Sequence, residues 1–159
     1  VSPTSPAGFK GATAQRPLDP IALGLAMPGT TFLARGYVGW PEQLQRLMDA
    51  AIQHAEAGKG FAFLEIVSPC VAYNDRYQDW PSMLVDVDAD EDYDAGDRAA
   101  AFAFTDRLQG EGRFPAGLIF EAEAVSLEQT LSSAPAARLE LDSESLRQEY
   151  AQVMDAFRG

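Results

Sequence analysis

The chain carries a single cysteine, Cys70. It follows an apolar run of strand length, Phe61-Ala62-Phe63-Leu64-Glu65-Ile66-Val67, and a Ser68-Pro69 step. α/β proteins place their chemistry just past the C-terminal ends of their strands, so a thiolate here stands where one could act. Three readings are open. A free cysteine packs as a small hydrophobe. A nucleophile needs a base, and the one histidine, His54, precedes the strand. A ligand of an iron–sulfur cluster needs three more thiolates, which only other polypeptide could supply.

The remaining polar constellations have plainer readings. His54 falls near the end of a helical pattern, where a partly exposed imidazole is favoured by the helix C-terminus. Asp86, Asp88, Asp90, Asp92 and Asp94 alternate as in a calcium loop. Such a loop needs Gly at its sixth position and Glu at its twelfth. Counting from Asp86, those positions hold Glu91 and Asp97, and counting from Asp90 the sixth is Ala95. A solvated acidic loop is the expectation. Ser2-Pro3-Thr4-Ser5 with Gly8 offers hydroxyls and N–H groups to a phosphate, but no Walker or dinucleotide spacing accompanies them.

The elements that position these residues follow from periodicity. Residues 1–17 are rich in Pro, Gly, Ser and Thr and read as a tail or an interior loop. Asp19-Pro20 caps a short helix ending at Pro28-Gly29. Thr30 to Arg35 predicts a strand stopped by Gly36. From Pro41, Leu44, Leu47, Met48, Ala51, Ile52 and Ala55 make one apolar stripe of a helix ended by Gly58 and Gly60. The Phe61–Val67 run then predicts a strand buried on both faces, completing a parallel crossover unit. A short strand over Met83–Val87, a helix from Gly96-Asp97 to Gly110, a turn over Gly112–Pro115 and a strand over Ala116–Phe120 follow. Leu127–Leu131 is a helical turn or two. A linker at 133–137 leads to a helix capped by Ser143, with Leu146, Tyr150, Val153, Met154 and Phe157 on one face.

Composition sets bounds. A chain of 159 residues that is 47% hydrophobic suffices for one domain with a core. A net charge of −12 disfavours nucleic acid and anionic membrane surfaces as partners. One cysteine makes no internal disulfide, no run is long enough to span a bilayer, and no signal peptide is visible, so the expectation is a cytoplasmic protein.

Several segments, in order, resemble the β subunits of 2-oxoacid:ferredoxin oxidoreductases. Ser2-Pro3-Thr4-Ser5-Pro6 with Gly8 is similar to the stretch after their thiamine-diphosphate loop, and Pro20-Ile21-Ala22-Leu23-Gly24-Leu25-Ala26 to the helix that follows. Thr31-Phe32-Leu33-Ala34-Arg35-Gly36 resembles a strand ending in Ala-Arg, and Ala51-Ile52-Gln53-His54 through Gly60-Phe61 the helix and turn before the cysteine strand. Ser68-Pro69-Cys70-Val71 with Tyr73-Asn74 is the most specific piece. Asp97-Arg98-Ala99-Ala100 and Phe114-Pro115-Ala116-Gly117-Leu118-Ile119-Phe120 resemble the C-terminal region.

The resemblance implies an α/β fold, a mostly parallel sheet with flanking helices forming the distal part of a thiamine-diphosphate-binding domain. It covers residues 1–132, with 133–159 as linker and C-terminal helix. Such enzymes decarboxylate a 2-oxoacid on thiamine diphosphate and Mg2+, pass electrons through a [4Fe–4S] cluster to ferredoxin, and give the acyl group to coenzyme A. The resemblance makes Cys70 the fourth cluster cysteine and puts Ser2 and Thr4 near thiamine diphosphate. The Ser-Pro-Thr-Ser-Pro wording leans toward 2-oxoglutarate rather than pyruvate. The family's Gly-Asp-Gly motif and three upstream cysteines are missing, and Ala72 stands where Thr is usual. The expectation is therefore the C-terminal half of a β subunit, inactive alone and partnered by the N-terminal half and an α subunit. A sheet edge or apolar face should be left where that half docks. The competing readings are a fragment of another thiamine enzyme and a cofactor-free acidic interaction domain.

Overall fold

Asp19 starts the fold by satisfying a helix end. Its carboxylate accepts the Ile21 N–H at 2.9 Å and caps α1 (Pro20–Ala26), with Pro20 in the first turn. The computed structural model describes residues 18–70, 72, 77–125 and 129–130. Apart from Gln129 and Thr130, these belong to one compact unit within Val1–Ser126. Ser2, Thr4, the 133–137 linker, the helix from Ser143 and most of Leu127–Leu131 lie outside the described residues.

The order continues β1 (Thr30–Tyr37), α2 (Pro41–Glu56), β2 (Phe61–Val67), α3 (Trp80–Met83), β3 (Leu84–Asp86), α4 (Arg98–Gly110) and β4 (Phe114–Glu121), with a 3-10 turn at Val87–Ala89 before α4. One sheet has the order β2-β1-β4-β3. β1 pairs parallel with β2, and β3 parallel with β4, while β4 runs antiparallel to β1. The fold is thus α/β with a mostly parallel sheet and flanking helices. One face packs Ile21 and Leu25 of α1 and Ala101 of α4 on Leu33 and Ile119. The other packs Leu47 of α2 on Phe32 and Ala34.

β1 is the central strand, and all of its residues are buried. It runs past Gly36 to Tyr37, because Gly36 stays in register with Ile66 and the Leu44 side chain occupies the space a Cβ there would need. Gly117 is required in β4 for a different reason. Its φ of 118° suits glycine, and a Cβ would strike the Asp88 carboxylate and Val87.

Two expectations are corrected. The buried face of α2 carries Gln43, Leu47 and His54, while Met48 and Ile52 of the expected stripe are exposed. Two polar side chains find partners on the sheet side, which turns the helix away from its purely apolar face. β2 is not buried on both faces either. It lies at the end of the sheet, and only Val67 is fully buried.

A buried ionic cluster ties the elements together. Arg35 on β1 is 1% exposed. Its Nε donates to Glu65 of β2 at 2.7 Å, one terminal nitrogen to Asp19 at 2.7 Å and the other to the Pro115 carbonyl at 3.2 Å. Gln109 of α4 donates to the second oxygen of Asp19. Removing one partner of such a cluster strands the others without water. Arg35→Met should therefore cost about 3–5 kcal/mol in urea unfolding, and adding Asp19→Asn and Glu65→Gln should recover part of that loss.

Tyr93 makes a pH-dependent contact. Its hydroxyl donates to the Ile119 carbonyl at 2.8 Å, its ring packs edge-on to Phe104, and burial pushes its pKa from 10.0 up to about 12. A raised folded pKa means that this stability is complete below pH 10 and is lost as pH climbs toward about 12. Melting temperature should fall over that window, and Tyr93→Phe should flatten that part of the fall.

Candidate functional site

The segment bearing Cys70 is held at both ends by the C-terminal end of β1. On one side, Val38 N–H donates to the Val67 carbonyl at 3.1 Å. On the other, Tyr37 Oη–H donates to the Tyr77 carbonyl at 2.9 Å, with the two rings 5.7 Å apart. Burial first, and then the neighbouring Tyr77, raise the pKa of Tyr37, so its phenol stays a donor. Beneath lie Val67, Trp80, Leu84 and Ala116, a cluster with Tyr37 at its centre. Cys70 itself is a free, exposed thiol. It is not the packed small hydrophobe that cysteines so often are.

His54 is at the other end of β2. The bulge in β1 at Thr31 directs that residue's hydroxyl to the helix, where Oγ1 lies 2.9 Å from His54 Nε2 and 3.2 Å from the Phe61 carbonyl. The hydroxyl thus lies within hydrogen-bond distance of both the imidazole and the carbonyl. Nδ1 faces the Glu121 carboxylate at 3.3 Å. At 3% exposed, His54 is a buried clamp between α2, β1 and β4, not the partly exposed side chain expected from the helix terminus. The Thr–His–Glu order resembles a catalytic relay, but Thr31 is 2% exposed and so out of reach of a substrate. Strand β2, about 20 Å of chain, separates His54 from Cys70, so they form no nucleophile–base pair.

The acidic stretch is the solvated loop expected, with Asp86, Asp88, Asp90, Asp92 and Asp94 all exposed, and some of its carboxylates also carry structural bonds. Asp86 and Asp88 both accept from the Gln43 amide, at 2.7 and 3.2 Å, and Asp88 also accepts the Leu118 N–H at 2.8 Å. Asp90 and Asp94 close their own turns, and Asp97 caps α4 through the N–H groups of Ala99 and Ala100. No group of three or more His, Cys, Asp or Glu among the described residues could hold a metal. Sequence reading missed Arg35, Gln43 and Tyr37. The signal for Gln43 was its spacing, since residues 43, 47 and 54 share one face of a helix.

An iron–sulfur cluster is held by soft thiolates. An exposed thiol past a strand end fits as one such ligand, and the other three must come from elsewhere. No helix among the described residues is long and apolar enough to cross a membrane.

The geometry so far defines an α/β unit with a thiol presented beyond the C-terminal ends of two parallel strands. No protein-family model matches the chain. The β subunit of a 2-oxoacid:ferredoxin oxidoreductase from Sulfolobus sp. is 30% identical over 154 residues, 87% of this chain and 49% of that subunit. A β subunit from Aeropyrum pernix is 44% identical over 63 residues, 40% of this chain and 18% of that protein. The 2-oxoglutarate synthase subunit KorB of Methanocaldococcus jannaschii is 39% identical over 82 residues, 48% of this chain and 28% of that subunit. The solved structure of 2-oxoglutarate:ferredoxin oxidoreductase from Magnetococcus marinus, with 2-oxoglutarate, coenzyme A and succinyl-CoA bound, superposes with a TM-score of 0.72 at 24% identity. It covers 96% of this chain and 51% of that one. The chain belongs to the β subunits of the 2-oxoacid:ferredoxin oxidoreductases and corresponds to their C-terminal part. It spans less than half the length of each of these curated relatives.

The separation of thiol and imidazole has a direct test. Cys70 should react with a maleimide in the folded chain, without denaturant. His54→Asn should leave that rate unchanged while lowering the urea midpoint, since the clamp and not the thiol is disturbed.

Proposed function

We propose that this chain is a working part of a 2-oxoacid:ferredoxin oxidoreductase, with 2-oxoglutarate as the favoured substrate. The whole enzyme oxidatively decarboxylates the 2-oxoacid with coenzyme A to acyl-CoA and CO2 and reduces ferredoxin. The observation that carries this reading is the exposed Cys70 thiol, held just past β2 in a chain related to these β subunits. Thiamine diphosphate with Mg2+ supplies the carbanion chemistry, and a [4Fe–4S] cluster carries the electrons. Cys70 is one cluster ligand in this reading, and Ser2 and Thr4 lie near the thiamine diphosphate. Residues 1–132 form the C-terminal half of the thiamine-diphosphate-binding domain, and 133–159 a linker and helix.

The rest of the β subunit and an α subunit complete both cofactor sites, so this chain alone is inactive. What the chain does itself is mechanical. Tyr37 and Val38 hold the two stems of the cysteine segment at the C-terminal end of β1.

The test is anaerobic native mass spectrometry of the purified assembly, with Cys70→Ala beside wild type. The expected assembly is far heavier than the 17.2 kDa chain and contains iron, sulfide and a cysteine-bearing partner. Cys70→Ala should keep the partners but lose iron and ferredoxin reduction. A lone chain without metal, or full iron in Cys70→Ala, overturns the proposal.

A further inference from the structure

Tyr37 carries an oxygen that its packing does not need. It ends β1, is 1% exposed and sits in the cluster with Val67, Trp80, Leu84 and Ala116. Phenylalanine would fill the same space without a buried hydroxyl, a group that is costly unless it is bonded. Here the hydroxyl donates to the Tyr77 carbonyl at 2.9 Å. Tyr77 is 41% exposed, so burial of its own side chain does not hold it there. The Tyr37 ring is fixed from another side. Trp40 meets it edge-on at 5.8 Å, and a Cβ on Gly39 would strike its Cε1. Gly39 is thus the residue that leaves room for the phenol.

The two stems of the cysteine segment are held by neighbouring residues. Tyr37 is level with Val67 in the sheet, Val38 N–H holds the Val67 carbonyl, and the Tyr37 hydroxyl holds Tyr77. Cys70 lies three residues past Val67, and Pro69 between them has a fixed φ. Without the phenol, the next buried anchor on the far side is Trp80, 2% exposed. The span between anchors would grow from nine residues, 68–76, to twelve, 68–79. Loop closure weakens with about the 3/2 power of length, so this growth matters only about 1.5-fold. The hydrogen bond itself shifts an equilibrium by about two- to tenfold. Both are small beside the stability of a whole domain. The effect of the phenol is therefore local: it decides where the segment that bears Cys70 rejoins the sheet.

We propose that Tyr37 is a positioning residue for Cys70. Its hydroxyl fastens the far stem, Gly39 seats its ring, and together they restrict the thiol to the C-terminal end of β1 and β2. A metal ligand depends on the groups that orient it, so a change at the phenol oxygen reaches the iron without touching it. The inference deepens the function proposed above and rests on it only for what the thiol binds.

Backbone amide relaxation by NMR on the full chain reads the positioning directly. In wild type the Cys70 amide should have an order parameter near the rigid value of about 0.85, and in Tyr37→Phe it should fall below about 0.6. Val67 should keep its value, and the urea midpoint of Tyr37→Phe should stay near that of wild type. Gly39→Ala keeps the hydroxyl but displaces its ring, so it should lower the same order parameter. Adding Tyr37→Phe to it should lower the order parameter no further. In the purified assembly, Tyr37→Phe should lose iron to a chelator about two- to tenfold faster and broaden the EPR signal of the reduced cluster. The inference is overturned if Cys70 is already disordered in wild type, or if Tyr37→Phe leaves its order parameter unchanged. It is equally overturned if iron loss and the EPR signal stay as in wild type. An assembly without iron, or one that keeps all its iron in Cys70→Ala, sinks the cluster reading instead. A fall in the Cys70 order parameter would then still support Tyr37 as the residue that positions the thiol.

Discussion

Arg35 is the point from which the fold is built. A guanidinium at the middle of a buried strand loses its hydration, and the cost is met only if every donor finds an acceptor. Here the acceptors come from the α1 cap, from β2 and from β4, and α4 reaches the same carboxylate through Gln109. Phe114 lies under the guanidinium at 5.5 Å and gives it a π face in place of water. An apolar residue in its place could hold the layers together as strongly. What it could not do is fix β2 in register, because Glu65 meets Arg35 in only one alignment of the two strands.

That dependence explains which parts of the fold were legible in the sequence. The Asp19-Pro20 cap was readable, since a cap acts within three residues of itself. So were β1, β2 and α4, through their β-branched runs and their helix signals. Arg35 reads locally as the polar end of a strand, and its partners are 16, 30 and 80 residues away, beyond the reach of any local pattern. The buried face of α2 was misjudged for the same reason. Gln43 and His54 face inward only because Asp86, Asp88, Thr31 and Glu121 wait there, and those partners come from distant segments.

β2 is an instructive misfit. Its residues have the composition of a strand flanked on both sides, yet it has one neighbour among the described residues. The acidic stretch agrees with its sequence, since Asp86, Asp88, Asp90, Asp92 and Asp94 are all exposed, and Asp88 also binds the Leu118 amide and sits where Gly117 has no side chain. Gly117 and Asp88 are one device, which brings the 3-10 turn against β4.

The thiol inherits its position from these contacts. Arg35–Glu65 sets the register of β2, and that register brings Val67 level with Tyr37. Val38 then holds the Val67 carbonyl and Tyr37 the Tyr77 carbonyl, so the cysteine segment leaves and rejoins the fold at the same strand end. The Trp80–Phe114 contact at 6.0 Å backs the far stem, and Phe114 is the ring on which Arg35 rests. The route from the buried cation to the stems of the cysteine segment therefore consists of direct contacts. In an α/β sheet, the site beyond the strand ends can be no better placed than the strands themselves.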